Sequence, residues 1–558
     1  MRYLINKYIF FVFLYTSLIA QVEYSNHLNI RYGDGDNNYT YEEIYFNTGI
    51  TLNRSDYRLE AVFNLELGDP PEIGLKEKGL ADFSFGYYNR NLSVELGKFY
   101  QTWGRGLILN QVDYQHLDFD TGAVGLNIGY EKDYISLSII AGEIKPRRST
   151  TFLGGYDPRV PNYILKQTLY GSDFSIELPG SMMGFSILFT EEDEAPISSV
   201  IGEMRFEKPY DNGDFFLSFI SKKSKLDKID SDSETDKGNG IYLSNTNYIK
   251  DWALTSNYRR YRIDVKDPSM RDNILSNYGQ ALDVQRSPTG YYQHSFKLLS
   301  RNSKQVNLND EIGLELELIG PIDENRTLLV SYTKSSSTKG WHNEFGYWEP
   351  EPLTTTNGNS NSLFPSSDKD SYPFDELFIE LSGYNKAHTL SYRVGFDYFS
   401  DTFAVLANSN TSESFEVNKA ITFPFMVNVT LNDLWNIEVQ LELQRAKKGF
   451  ELTVNDETSF VSLLSDKYQK NIFLGFTVNH APWSLTLATE STNSDESLSS
   501  SDSNTWNAVA LTYRIKSDNI LEVFYGSIRG GLDCTNGVCR YIQPFENGLR
   551  IDYSVNLN

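Results

Sequence analysis

Cysteine and histidine are scarce in this chain of 558 residues, which holds 2 of the first and 6 of the second. Neither cysteine has further Cys or His near it at metal-ligand spacing, so the sequence offers no zinc site and points to no cofactor. Positive charge is also in deficit, with 50 Lys and Arg against 74 Asp and Glu and a formal net charge of −24. A nucleic-acid partner needs a basic footprint, so that class is excluded. Beyond the N-terminal segment no stretch approaches the ~20 apolar residues of a membrane helix, which excludes a helical membrane protein. There is no linker, compositional break or repeat of roughly 20–50 residues, so a string of soluble domains, a solenoid and a propeller all fit badly.

What is abundant is aromatic. Tyr (37) and Phe (34) bring the aromatic share to 14%, while the mean hydropathy is −0.41. Such richness in rings argues against disorder. A polar average combined with many aromatics suits a transmembrane β-barrel, whose lumen and loops are polar and whose interfacial girdles are rich in Tyr and Phe. The N-terminus agrees: Arg2 and Lys7 flank the start of an apolar run, Tyr8 to Ala20, too short to span a bilayer. A charged segment followed by such a run predicts an export signal over 1–20, cleaved after Ala20, and a single barrel domain over 21–558.

The decisive pattern is strict two-residue alternation. Ile437, Val439, Leu441 and Leu443 share one parity, and Glu438, Gln440, Glu442 and Gln444 the other. Strand side chains alternate faces, so each such run has one apolar and one polar face. In a soluble sandwich the apolar faces make a core, whereas in an outer-membrane barrel they face lipid and the polar faces line a wet interior. The connections decide between these. About 24 alternating runs (range 22–26) can be placed, the expected even number of ~10-residue segments. Short links (Asn89–Asn91, Glu131–Asp133, Pro179–Ser181, Lys250–Asp251, His480–Pro482, Lys516–Asp518) alternate with long ones such as 104–121, 143–167, 264–310, 337–373 and 450–469. Short periplasmic turns alternating with long external loops are the barrel signature, and a soluble protein has no reason to show it. Tyr291 to Leu299 also resembles a strand, but counting it would move 337–373 to the periplasmic side. We therefore read 264–310 as one long external segment. The sequence thus predicts an all-β, antiparallel, up-and-down transmembrane barrel in the cell outer membrane of a Gram-negative bacterium. Its last strand is clean, with Leu549, Ile551, Tyr553, Val555 and Leu557 on one parity. It ends in Leu557-Asn558 rather than the Phe or Trp that usually signals to the barrel-insertion machinery.

Function then belongs to the polar parity and the loops. Glu311, Glu315 and Glu317 share one strand face, as do Glu438 and Glu442, and as do Arg393 and Asp397. Rings of carboxylates bias a pore toward cations, and facing basic residues create a transverse field. In Trp103-Gly104-Arg105-Gly106-Leu107, glycines on both sides let the backbone turn sharply and carry Arg105 inward or over the pore mouth; the bland alternative is a surface turn. Cys534-Thr-Asn536-Gly537-Val-Cys539 has the Asn-Gly pair of a two-residue hairpin, which sets Cys534 opposite Cys539 within disulfide range. The acidic loops Asp227 to Lys237, Glu191 to Glu194 and Asp495 to Asp502 lack the spacing of a calcium loop and read as solvated, repulsive surface. His-Glu-x-x-His, Gly-x-Ser-x-Gly and P-loop patterns are missing. An outer-membrane hydrolase would have to pair His116 or His294 with a serine near the outer rim, and spacing gives that no support.

With its Gly104-Arg105-Gly106 turn, its Cys534-to-Cys539 hairpin followed by Arg540-Tyr541, and its aromatic strands, the chain resembles a Bacteroidota-type family of porin-like outer-membrane barrels. The resemblance implies a single-chain barrel over the mature sequence and assigns neither substrate nor functional residue. A TonB-dependent transporter carries a plug domain of well over ~100 residues before its barrel, whereas strand pattern begins here at Val22. Three readings follow. A channel for diffusion or uptake of small solutes, with a mildly cation-biased lumen, leads. A non-conducting surface or scaffold barrel, whose loops 264–310 and 337–373 bind a protein partner, comes second, and the hydrolase last. Outer-membrane lipid and lipopolysaccharide are partners under all three. A barrel this wide cannot be filled by its own wall side chains, so it is open, plugged by its loops or closed by a partner.

Overall fold

A computed structural model of the chain describes residues 22–35, 39–69, 77–114, 119–148, 163–164, 166–192, 197–226, 234–263, 282–288, 291–302, 304, 306–338, 340–344, 347–351, 363–404, 412–454, 457–462, 468–493, 505–516, 519–535, 538–542 and 544–556. The proposed export signal, His116, and the acidic stretches 227–233 and 495–502 lie outside the described residues.

The alternating runs become strands because each offers one face to an apolar and one to a polar surround. The first six are β1 (Val22–Gly35), β2 (Tyr39–Asn53), β3 (Tyr57–Asp69), β4 (Glu77–Asn89), β5 (Leu92–Phe99) and β6 (Ala123–Lys132). Next come β7 (Ile135–Ile144), β8 (Gln167–Leu178), β9 (Ser181–Glu192), β10 (Ile197–Tyr210), β11 (Gly213–Leu226) and β12 (Glu234–Ile249). They are followed by β13 (Trp252–Arg262), β14 (Glu311–Asp323), β15 (Arg326–Ser336), β16 (Phe374–Tyr384), β17 (Leu390–Ala404) and β18 (Ser412–Thr430). The last are β19 (Trp435–Val454), β20 (Gln469–His480), β21 (Trp483–Thr492), β22 (Thr505–Lys516), β23 (Asn519–Ile528) and β24 (Phe545–Asn556).

Each strand pairs antiparallel with its sequence neighbour, and β1 closes on β24 in a ladder from His27↔Asn556 to Asp34↔Leu549. The result is a closed barrel of 24 strands. A further strand, Glu457–Ser462, pairs only with the outer part of β19, so it adds a flap rather than a stave. The alternation sorts as the sequence requires: Leu443 is 45% exposed on the outer wall, and neighbouring Glu442 is 0% exposed inside. Large exposed apolar side chains such as Phe185, Phe425, Leu474 and Leu487 recur around that wall.

The two barrel ends differ. At one, tight turns join the strands: Asp133 and Lys250 take positive φ at the first turn position, and Gly180 takes it at the second, after Pro179, as a type II turn demands. Exposed Tyr134, Tyr248, Tyr384, Trp435 and Trp483 gather at this end, forming the aromatic girdle of a membrane interface. At the other end lie the long connections. One expectation holds there and one changes. Tyr291 to Leu299 is not a strand but a turn-rich stretch leading into a short helix, α1 (Lys297–Ser300). The segment 264–310, read as external, is not so over its described part: residues 282–288, 291–302, 304 and 306–310 fold back into the barrel and contact its polar inner parity. They do so because their apolar residues have no lipid-facing wall to join and the wide lumen offers carboxylates to their backbone amides.

Candidate functional site

Two inward segments occupy the lumen. The first follows β5, which stops early at Phe99 and lets the chain turn in. Gly104 (φ 56) and Gly106 (φ 91) take the left-handed conformation expected of the turn, and a Cβ on Gly104 would press Arg205 Cδ at 2.9 Å. The turn lies deep, toward the tight-turn end. Trp103 Nε1 donates to Ser138 Oγ at 3.1 Å, and the Arg105 guanidinium stacks on Phe216 (4.1 Å) and reaches Asp214 at 3.4 Å. Arg105 is therefore inside the barrel, far from an external mouth. Trp103, Leu107, Ile108 and Leu109 pack with Leu282 and Val284 against inward Leu188, Phe216 and Tyr242, making an apolar core inside the barrel. Backbone bonds fix this segment to residues 282–288: Asn110 N donates to Val284 O (2.7 Å) and Arg286 N to Gly106 O (3.0 Å). Beside this core Arg205 forks onto Asp173 (2.6 and 2.9 Å), while Ser218 donates to Glu203 (2.6 Å).

The second segment, 291–310, buries Phe296, Leu298, Leu299 and Leu308 and adds to them a series of polar contacts. It crosses the lumen on polar tethers. Tyr291 donates to Glu311 (3.0 Å), which also receives Arg259 Nε (2.7 Å) and Asn307 N (2.8 Å). Burial pushes the Tyr291 phenol well above its ordinary pKa, so it stays a donor. His294 Nε2 lies 3.0 Å from Glu376 Oε1. Arg393 clamps Glu380 (3.1 and 2.8 Å), donates to Ser295 (3.0 Å) and covers the Phe296 ring (4.8 Å). The first two amides of α1, Lys297 N and Leu298 N, are the orphan donors of a helix start. Both donate to the Glu442 carboxylate of the wall, at 2.7 and 2.8 Å. Gln444 returns a bond to Leu298 O at 3.2 Å. At the far side Arg301 reaches Glu490 (2.9 Å) and Gly530 O (2.6 Å). The chain then returns through Lys304 to Asp401 (2.8 Å) and enters β14.

The residues chosen from sequence thus fall into two sets. Glu311, Arg393 and Glu442 grip the crossing segment, and Asp397 lies beside it with His294 and Glu376. Glu315 (Asn257 at 3.3 Å) and half-buried Glu317 share that wall nearer the tight turns, and Glu438, 3.5 Å from Asn428, lies below the segment. None of them forms an open carboxylate ring, because the plug takes up the polar parity at mid-height. Cys534 and Cys539 are paired in register across their hairpin; their side chains lie outside the described residues. Sequence reasoning missed Glu376, Asp401 and Glu490 on the wall and Arg301 and Lys304 on the plug. The wall residues were readable by parity, but nothing local marked their partners.

The plug does not fill the barrel evenly. Inward side chains of β8–β17 are mostly buried, whereas those of β23, β24 and β1–β4 stay partly exposed. There an ion ladder crosses the closure seam: Glu522–Arg550 (3.0 Å), Arg550–Asp552 (3.0 Å), Asp552–Arg31 (3.4 Å) and Arg31–Glu43 (3.0 Å). A cavity of about 270 Å³ lies along this wall, lined by Glu60, Ser84, Tyr88, Glu95 and Lys98 among others.

Fold and site together define a large barrel of the outer-membrane type whose lumen is occupied by its own loops. Over residues 18–557 the chain matches, and belongs to, a family of unknown function, DUF6029. No curated protein matches it in sequence. Among solved structures it is similar to the siderophore receptor PirA from Pseudomonas aeruginosa, at 7% identity and a TM-score of 0.46, over 96% of this chain and 80% of that one. The copper transporter OprC is similar at 8% identity and TM-score 0.46, over 97% and 81%. The outer membrane protein OprD from Pseudomonas aeruginosa is similar at 12% identity and TM-score 0.35, over 67% and 88%. None of these likenesses is close enough to assign a substrate.

Proposed function

We propose that this protein is an exported outer-membrane uptake channel, closed at rest by its own residues 291–304 and opened when they leave the lumen. The supporting observation is the way that segment is held. It is tethered across the lumen by wall carboxylates, and such bonds exchange readily for bonds to water. Both segments bury apolar side chains, Phe296, Leu298 and Leu299 here and Trp103, Leu107, Ile108 and Leu109 on 99–112, but 99–112 rests mainly on that core whereas 291–304 adds polar tethers along its length. The lumen therefore has one fixed half and one releasable half. Release would bare Glu376, Asp397, Asp401 and Glu442 together, while Glu490 keeps Arg529 at 3.0 Å, so cation preference is a property of the opened state. The partly exposed wall along β23, β24 and β1–β4 gives solute a path beside the fixed half.

The second reading, a non-conducting scaffold barrel, draws support from the apolar core around Trp103, which resembles permanent filling. Single-channel recording in planar bilayers separates the two. Brief, cation-preferring openings that lengthen when the tethers are cut support the channel. A folded, inserted protein that stays silent with its tethers cut refutes it.

A further inference from the structure

One cluster on the crossing segment is unexplained by tethering alone. His294 of the plug, Glu376 of β16 and Asp397 of β17 bring one ligand atom each to within 4.8 Å of one another. The two carboxylates are on neighbouring strands, with Asp397 directly opposite Phe378, two residues from Glu376 on the same inner face. Asp397 is 1% exposed, and its Oδ1 has no hydrogen-bond partner among the described residues. The His294 side chain is 2% exposed and its Nδ1 is likewise unpartnered. Neighbouring cations are committed elsewhere: Arg393 to Glu380, and Arg259 to Glu311. Two buried carboxylates beside one imidazole, with no guanidinium or ammonium assigned to them, need a positive charge between them.

We propose that His294, Glu376 and Asp397 bind one divalent transition-metal ion of the zinc class, joining the plug to the barrel wall. Imidazole with two carboxylates is a donor set zinc accepts at about 2.0–2.2 Å, with water in a fourth position. His294 Nε2 and Glu376 Oε1, 3.0 Å apart, need to part by only about 0.3–0.6 Å to take two positions on a tetrahedral ion with bonds of about 2.0–2.2 Å. Calcium and magnesium call for more oxygen ligands than this apolar pocket supplies. The pocket also orients its imidazole: Tyr292 and Phe378 meet the His294 ring edge-on, at 4.9 and 4.6 Å. Sequence spacing could not show the site, since its ligands come from three separate elements.

The inference rests on reading 291–304 as a plug, but its test does not depend on conductance. Purified full-length protein, stripped with chelator, is titrated with Co2+ and Zn2+. The expected result is one tightly bound ion per chain, a tetrahedral Co2+ absorption band displaced by Zn2+, and no displacement by millimolar Mg2+. Asp397→Asn and His294→Gln, which keep shape, should each weaken binding at least tenfold. Absence of the band, or binding unchanged in both variants, overturns the site; the cluster is then held by a proton, or the ions sit on the acidic loops. Binding as expected in a protein that never conducts would instead refute the channel reading and leave the site standing.

Discussion

Glu442→Ala is the most informative single change, because it cuts one tether of the plug without touching either lipid face or fold closure. In the closed barrel this carboxylate receives Lys297 N and Leu298 N, and it is fully buried. Removing it orphans two amides, each costing about 1–3 kcal/mol when left unpaired. Gln440, which donates to the same carboxylate at 2.7 Å, can swing its carbonyl toward one amide, and lumen water can reach the other. A net loss of about 2 kcal/mol follows, and it falls only on the closed state, since the released segment is solvated in both proteins. At about 1.4 kcal/mol per decade the closed-to-open ratio moves roughly thirtyfold toward open. Glu442→Gln keeps one acceptor and should show a smaller shift in the same direction. The assay is the open fraction in planar bilayers, with swelling of protein-loaded liposomes as a check. A Glu442→Ala protein that folds to its heat-modifiable form yet opens no more than the parent would refute the argument.

Three further outcomes follow from the same geometry. Leu474→Arg places a cation on the lipid-facing wall, where it should cost about 2–4 kcal/mol near mid-membrane and lower the yield of inserted barrel; equal insertion with Leu474→Phe would argue against a membrane wall. Arg31→Ala removes the guanidinium that links Asp552 across the closure seam to the Glu43 carboxylate, itself 4% exposed. A loss of about 1–2 kcal/mol should lower the temperature at which the heat-modifiable band unfolds, and an unchanged temperature would remove the seam ladder from the stability argument. Cys534 and Cys539 are expected to be bridged in exported protein, so non-reducing mass spectrometry should find their peptide two hydrogens lighter than after reduction; free thiols would negate the bridge.

The wall was legible because its rule is local. Alternation at Glu438 to Gln444 depends only on a strand having two faces, and it recurs around the wall with local exceptions such as Arg260 and Arg262 on the outer parity of β13 and Phe374 and Phe378 on the inner parity of β16. The loop rhythm was equally local, down to the tight turns at Asp133 and Lys250. The lumen followed no such rule. Tyr291 to Leu299 mixes aromatic and polar residues in a way that fits a strand, a surface loop or a plug, and only the wide barrel around it selects the plug. Arg105 shows the same limit: its flanking glycines announced a turn, while its depth depends on β5 ending early and on Phe216, more than a hundred residues away.

This difference has a functional consequence. Alternating parity builds a carboxylate-lined tube whatever the tube carries, so charge on the inner face cannot by itself distinguish a pore from a filled barrel. What distinguishes them is whether those carboxylates are spent. Glu311, Glu442, Glu490 and Asp401 are spent on the protein's own chain, and each bond they make is one that solvent can replace. A barrel evolved only to be filled would gain more from apolar side chains, as the core around Trp103 shows is possible in this same lumen. Both segments bury apolar side chains, so the ground for proposing motion in 291–304 rather than in 99–112 is the larger share of its hold that these exchangeable polar bonds supply.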